Sequence, residues 1–529
     1  MSGVKNILFI MCDQLRWDYL SCTGHPRIAT PHLDALAARG VIFERSFVQS
    51  PICGPGRMST YTGRYVANHG SSINGAPLRA DEPTLGDHLR PLGLRVALVG
   101  KTHMTADKAG LARLGADAQS GPGLLAAEGG FEPFERDDGM HLDHSVDPNL
   151  SYNRYLNALG YGGKNPWHRW ANSAQGADGE SLSGWEMRHA GLPARVAEPH
   201  SETPYMVDRA LQFIDGQGEK PWCLHLSFIK PHWPYMAPAP YHRMYGIDDC
   251  LPVQREPADA RESAHPVHKA FMQNPESLVF SRDEARATVI PTYMGLITQI
   301  DDHLGRLFAH LEAGGRMRDT MVVFTSDHGD FLGDHWLGEK ELFHECSSRV
   351  PLIVYDPDPA ANATRGTRDS RLVESIDLAP TFVEAAGGTA PAHILEGRSL
   401  LPLLRTASPG NKSVAWRDAV FSELDYSPSG ARLVLGVSAA AARATMVRTE
   451  RWKYVHYQGF VPQLFDLQED PHEFHDLAGN AARAAVTDEM RGRLYEWLCA
   501  RRNRLTLSDA AIEARSGKFW ERGVYIGKW

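Results

Sequence analysis

The sequence predicts an α/β fold on a doubly wound, mostly parallel sheet, followed by a smaller α+β domain. Three observations carry this expectation. Short, continuously apolar runs recur, among them "KNILFIM" at 5–11, "LRVALVG" at 94–100 and "WCLHLSF" at 222–228. Such runs suit strands buried on both faces of a parallel sheet. They alternate with stretches of helical periodicity, the order of strand–helix–strand units. After about residue 405 the pattern changes to alternating segments that suit a small antiparallel sheet.

Taken in order, the first strand is followed by "ATPHLDALAARG". Thr30 is placed to cap this helix, Pro31 opens it and Gly40 stops it. The amphipathic helix "YMVDRALQFID" precedes the strand at 222–228. A long helix is expected over roughly 283–313, with Ile297, Ile300, Leu304, Leu307 and Leu311 on one face. "TMVVFTSDHGD" and "VPLIVYD" supply two more strands. Segments at about 105–200 and 253–277 are weakly periodic and read as insertions over the sheet's functional edge. "AVFSEL", "ATMVRTERWKYVHY" and "QLFDL" then suit a four-stranded antiparallel sheet, and "DEMRGRLYEWLCARRN" a helix. The predicted division is a large domain over 1–405, an α+β subdomain over 406–505 and a tail over 506–529.

Composition narrows the function. Of 529 residues, 43% are hydrophobic and 22% charged, and the net charge is −9. No basic stripe is present, which argues against a nucleic-acid partner. An anionic substrate would need a local positive site. The apolar run near the N-terminus is too short for a signal peptide, and no run reaches the length of a membrane span. The expected location is therefore cytoplasmic, with no membrane partner. Seven scattered cysteines without a C-x-x-C pair support neither a disulfide framework nor a zinc ribbon.

Asp13 lies just past the first strand, and Asp327 and His328 just past the strand in "VVFTSDHGD". Ligands of open α/β sheets bind outside the carboxyl ends of strands. Two carboxylates and an imidazole there could converge on one divalent ion, Mn²⁺, Ca²⁺ or Mg²⁺. The alternative is that both aspartates cap following helices.

The remaining motifs decide between these readings. "CGPGR" at 53–57 matches the C-x-P-x-R core of the type I sulfatases, and "GLRVALVGKTHM" resembles their second signature. "TPHLDALAARG", "KPHWP", "SDHGDFLGDH" and "LFDLQEDPHEFHDLA" follow in the family's order, so the resemblance spans about residues 5–500. It implies an alkaline-phosphatase-like fold and one divalent metal ion, Mn²⁺ or Ca²⁺, on Asp13, Cys53, Asp327 and His328. It also implies that a formylglycine-generating enzyme oxidises Cys53 to Cα-formylglycine. Hydrated, this aldehyde offers one hydroxyl to attack sulfur or phosphorus. The second lets the ester collapse by C–O cleavage, which a serine could not do.

The other roles carry over by position. Arg57 would stabilise the nucleophile, and Lys101 would clamp a substrate oxygen. His103 would act as base on the spare hydroxyl. His232 and Lys340 would face the bridging oxygen, and Gln14 and Asn74 would contact substrate oxygens or the metal's surroundings. His225 reads as a structural histidine. The family more often has Ser, Thr or Ala where Gly56 stands. Cys12–Asp13 and Asp327–His328 resemble the branch of choline sulfatases, phosphonate monoester hydrolases and some bacterial arylsulfatases. Phosphonate monoester hydrolases tend to carry Tyr and Thr where this chain has Lys101 and His103, which favours small or aryl sulfate esters as substrates. The alternative is a phosphonate monoester hydrolase or phosphodiesterase. A two-metal phosphatase would need Ser or Thr at 53, and a non-catalytic binding protein would leave Cys53 unmodified. "GVYIGKW" resembles extensions that make subunit contacts, implying a homodimer or homotetramer.

Overall fold

The computed structural model describes the chain except residues 1–3, 258–263, 407–413, 519, 520, 522 and 524–529. Among the described residues the main sheet has nine strands. They are β1 (Asn6–Asp13), β2 (Val41–Phe47), β3 (Arg95–Gly100), β4 (Glu132–Arg136), β5 (Trp222–Pro231), β6 (Thr320–Ser326), β7 (Arg349–Val350), β8 (Leu352–Tyr355) and β9 (Thr367–Glu374). Their order is β9-β2-β8-β6-β1-β5-β3-β4, with β7 paired to β2 off this path. Strands β6, β1, β5, β3 and β4 run parallel to one another. The exceptions are β8, antiparallel to both β2 and β6, and β7, antiparallel to β2.

The apolar runs follow from burial on both faces. In β1, Leu8, Ile10 and Cys12 join one hydrophobic cluster, while Ile7, Phe9 and Met11 join the other. Residues of period 2 alternate across a sheet, so a strand covered on both sides needs apolar residues throughout. Helix α4 (Asp283–Ala313) lays Ile297, Ile300, Leu304, Leu307 and Leu311 against the first face, beside α3 (Glu202–Gln217). Helix α5 (Leu378–Ala385) packs on the second.

Helix α1 (Pro31–Arg39) begins at Pro31 as predicted, but its capping differs. The Thr30 hydroxyl is engaged with Ser21. The buried Asp301 carboxylate of α4 accepts the N–H groups of His32 and Leu33, at 3.0 and 2.7 Å. Gly40 follows the last helical residue in extended conformation, at a point where a Cβ would lie 2.5 Å from Val354 O. The weakly periodic 105–200 segment is more than loop. It carries β4, which pairs in parallel with β3 and forms one edge of the sheet.

Strands β10 (Ala419–Asp425), β11 (Arg443–Thr449), β12 (Trp452–Tyr457) and β13 (Gln463–Asp466) form a four-stranded antiparallel sheet in sequence order. Adjacent residues of β11 face opposite ways. Val447 packs with Met490 and Leu494 of α6 (Ala484–Cys499), and Met446 packs with Phe271 and Phe343 of the large domain. Most of the aromatic tail proposed for subunit contact lies outside the described residues. Among the described residues, no helix is long and apolar enough to cross a membrane.

Candidate active site

The carboxyl ends of four neighbouring strands supply the site. Asp13 ends β1 and Gln14 follows it; Asp327 and His328 follow β6; His232 follows β5; Lys101 and His103 follow β3. Residue 53 enters from the first turn of helix α2 (Cys53–Thr62), and Arg57 lies one turn further on. Parallel strands point their carboxyl ends the same way, so residues hundreds of positions apart meet along one sheet edge.

Asp13, Cys53, Asp327 and His328 are all buried, and their donor atoms lie within 4.8 Å of one another. The Cys53 Sγ, standing where an oxygen of hydrated formylglycine would be, is 3.1 Å from His328 Nε2 and 3.8 Å from Asp13 Oδ1. His328 Nδ1 donates to Gly329 O at 2.8 Å, so Nε2 faces the cluster and would be the ligand atom of the neutral ring. Two carboxylates, one imidazole and an oxygen at position 53 make a donor set that fits one divalent cation. Neither aspartate caps a helix here: Asp327 Oδ1 accepts the backbone N–H of Gln14 at 3.1 Å.

Cations surround this cluster. Arg57, fully buried, donates from Nε to Asp327 at 2.7 Å and from Nη1 to Ser227 Oγ at 2.7 Å and Lys101 O at 3.0 Å. Its Nη2 finds no hydrogen-bond partner among the described residues and lies 3.8 Å from Asp13. Lys101 Nζ is ion-paired with Asp13. Lys340 Nζ donates to Gln14 Oε1 at 3.0 Å and to His232 Nε2 at 3.3 Å. Burial opposes ionisation of the Cys53 thiol, but Lys340, His328 and Lys101 overcome it and hold the group well below the usual thiol range. Burial likewise opposes the Asp13 carboxylate, as does Cys53, yet Lys101 and Arg57 keep it ionised. Burial holds His232 below the ordinary imidazole value, so it is neutral. Its Nδ1–H donates to Trp233 O at 2.7 Å, and its Nε2 lone pair therefore receives Lys340. A negative tetrahedral group would meet Arg57, Lys101 and Lys340 at this cluster, in low dielectric.

The sequence-predicted residues thus come together, with two local revisions. Gln14 directs its oxygen to Lys340 and its amide nitrogen to Asp330 and Tyr235, so it orients the lysine. Asn74 Oδ1 accepts the Gly54 N–H at 2.8 Å and secures the first turn of α2. Gly56 also acquires a reason. A Cβ there would sit 2.9 Å from Ser50 O and 3.0 Å from Asp327 O, so the departure from the family's usual residue matches a tight local fit.

Gln14 and His103 have positive φ angles of 66° and 54°. Such strain costs about 1–3 kcal/mol per residue and collects at functional sites. At His103 it is held by Asp138, whose Oδ1 accepts the N–H groups of Thr102 and His103, each at 3.0 Å. Sequence reasoning missed Asp138, which lies in the weakly periodic segment, and also Tyr235, Asp330 and Ser227. Only Asp330 carried a signal, as the last residue of "SDHGD".

Fold and site together define a hydrolase of the alkaline-phosphatase-like class. The profile described as Sulfatase matches residues 5–388, and that described as N-sulphoglucosamine sulphohydrolase, C-terminal, matches residues 333–499. The chain belongs to the sulfatase family. It is 33% identical over 521 residues to the multifunctional alkaline phosphatase superfamily protein PehA of Trinickia caryophylli, covering 93% of this chain and 95% of that protein. A choline-sulfatase of Rhizobium meliloti is 27% identical, covering 98% and 91%. The phosphonate monoester hydrolase of Silicibacter pomeroyi matches with a TM-score of 0.81 at 30% identity, covering 96% of this chain and 98% of that one.

Proposed function

We propose that this protein hydrolyses singly charged tetrahedral esters, with phosphonate monoesters and phosphodiesters as the leading substrates and sulfate monoesters alongside them. The observation that carries the reading is the buried Asp13–Cys53–Asp327–His328 cluster, ringed by Arg57, Lys101 and Lys340. The relationship to PehA and to the phosphonate monoester hydrolase, each covering nearly the whole of both chains, supports the order of substrates. Lys101 and His103 support the second activity, because phosphonate monoester hydrolases resembling this chain tend to lack that pair.

Residue 53 as Cα-formylglycine would supply the nucleophilic oxygen, and a Mn²⁺ or Ca²⁺ ion on the four donors would withdraw charge from the reacting centre. The remaining residues divide the work. Arg57 Nη2 and Lys101 Nζ offer positive charge to the non-bridging oxygens. Two of the three Lys340 ammonium hydrogens are engaged by Gln14 and His232, which leaves the third for the bridging oxygen of the departing alcohol. His103, a hydrogen-bonding neighbour of residue 53, would take a proton from the spare hydroxyl there.

The test compares kcat/KM for 4-nitrophenyl phenylphosphonate, bis-4-nitrophenyl phosphate and 4-nitrophenyl sulfate on protein of known formylglycine content. A phosphonate or diester preference is expected, with measurable sulfate turnover. A sulfate preference of several orders of magnitude would reverse the order. Intact mass should show active protein about 18 Da lighter than the unmodified chain. Cys53→Ala should lose about 10⁴-fold or more in kcat while keeping its fold by circular dichroism.

A further inference from the structure

The loop Lys230–Pro231–His232–Trp233–Pro234 carries a histidine of the site but begins with a lysine that faces away from the chemistry. Lys230 is buried, and its Nζ donates to Pro234 O and to Asn172 Oδ1, each at 2.8 Å. It also lies 3.5 Å from Glu202 Oε2. Two of the three ammonium hydrogens are thus taken by neutral oxygens, and the Glu202 carboxylate balances the charge. The bond to Pro234 O closes a ring across His232, because it ties the residue two before the histidine to the residue two after.

The far side of this clamp is equally satisfied. Glu202, the first residue of α3, accepts Trp167 Nε1 at 2.7 Å and Asn172 Nδ2 at 3.1 Å. Trp167 and Asn172 belong to the weakly periodic segment of the sequence, and both are buried. The network therefore joins that segment to the histidine loop through hydrogen bonds in low dielectric, where a satisfied network is rigid and a broken one costly.

We propose that Lys230 is a positioning residue for His232, and that Glu202 and Asn172 make the 105–200 segment the support of the leaving-group side of the site. The chain of action is direct. Lys230 holds the loop, the loop carbonyl of Trp233 fixes the His232 ring, and His232 Nε2 aims the Lys340 ammonium. This proposal rests on the role given above to His232 and Lys340 in alcohol departure.

Removing Lys230 alone would leave the Glu202 carboxylate buried and unpaired, which can unfold a protein. The test therefore uses Lys230→Met together with Glu202→Gln, and His232→Ala as the reference. Each is assayed on a phenyl and a 4-nitrophenyl ester of methylphosphonate. Phenolate leaves poorly without a proton, and 4-nitrophenolate leaves well without one. The double variant should lose about 10- to 100-fold in kcat on the phenyl ester but less than about 3-fold on the 4-nitrophenyl ester. Adding the double change to His232→Ala should cost little more, because the route is already cut. Equal losses on both esters, or full additivity with His232→Ala, would reduce Lys230 to a structural residue while His232 kept its role. If His232→Ala itself shows no difference between the esters, the role of His232 falls, and the proposal with it.

Discussion

Two buried lysines, one at the sheet edge and one in the C-terminal sheet, have similar surroundings and different uses. Lys453, on β12, is completely buried and donates to Phe343 O at 2.9 Å, with Glu345 at 3.0 Å and Glu473 at 2.6 Å. Each of its hydrogens has an anionic or carbonyl partner, so the group is spent on joining the two domains. Lys340 is also buried, but its two hydrogen-bond partners are neutral, Gln14 Oε1 and His232 Nε2. Its nearest carboxylate, Glu339, stands 3.6 Å away. Burial and charge are common to both lysines. What separates a structural lysine from a reacting one is whether its hydrogens are all taken.

Exchanging each lysine for methionine gives the sharpest break. Lys340→Met should lower kcat about 10²- to 10³-fold with little change in melting temperature. Lys453→Met should leave the two glutamates without their shared cation and cost about 3–5 kcal/mol of stability. Its kcat per folded molecule should stay near the wild-type value. Chemical denaturation and active-site-normalised kinetics on both variants would check this. A large kcat loss in Lys453→Met would erase the distinction.

The same contrast extends to pH. Burial opposes ionisation of Glu345, but Lys453, Arg448 and Arg349 hold its carboxyl well below the usual range. Its folded value lies below its unfolded value, so the unfolded chain binds the extra proton first. Glu345 therefore contributes stability that is present above about pH 4 and is lost as pH falls further. Hydrogen exchange should show the amides of the C-terminal sheet losing protection as the pH falls below about 4. Glu345→Gln should flatten this dependence. An unchanged acid profile in that variant would remove the ion-pair cluster as the cause.

The smallest effect is expected at Asn74. Asn74→Ala removes one acceptor from Gly54 N–H at the start of α2, and should cost about 1 kcal/mol. Activity should fall less than about 10-fold, with KM nearly unchanged, because Asn74 acts on the backbone below the nucleophile. A KM increase that matches the kcat/KM loss would instead place Asn74 on the substrate.

Much of this is legible in the sequence. Both-faces burial writes itself as continuous apolar runs, so β1, β3, β5 and β6 could be read from local sequence. Reactive residues cluster where such strands end, which marks Asp13, Asp327 and His328, whereas Lys101 is marked only by the resemblance to the sulfatases. The weakly periodic 105–200 segment was less legible. It holds an edge strand, the Asp138 support of His103 and the Asn172 contact of Lys230, none of which has a period or a spacing to reveal it.

Local sequence fixes the strongly periodic elements, their order along the chain and the residue types at their strand ends. These are set by neighbours a few positions away, through periodicity and turn chemistry. Tertiary structure alone decided the partners. Gln14 turned to Lys340, Asn74 to Gly54, and Asp301 took over the cap expected of Thr30. The physical reason is that a hydrogen bond or ion pair between distant residues depends on strand order and loop path. Neither is written in the local pattern of either partner.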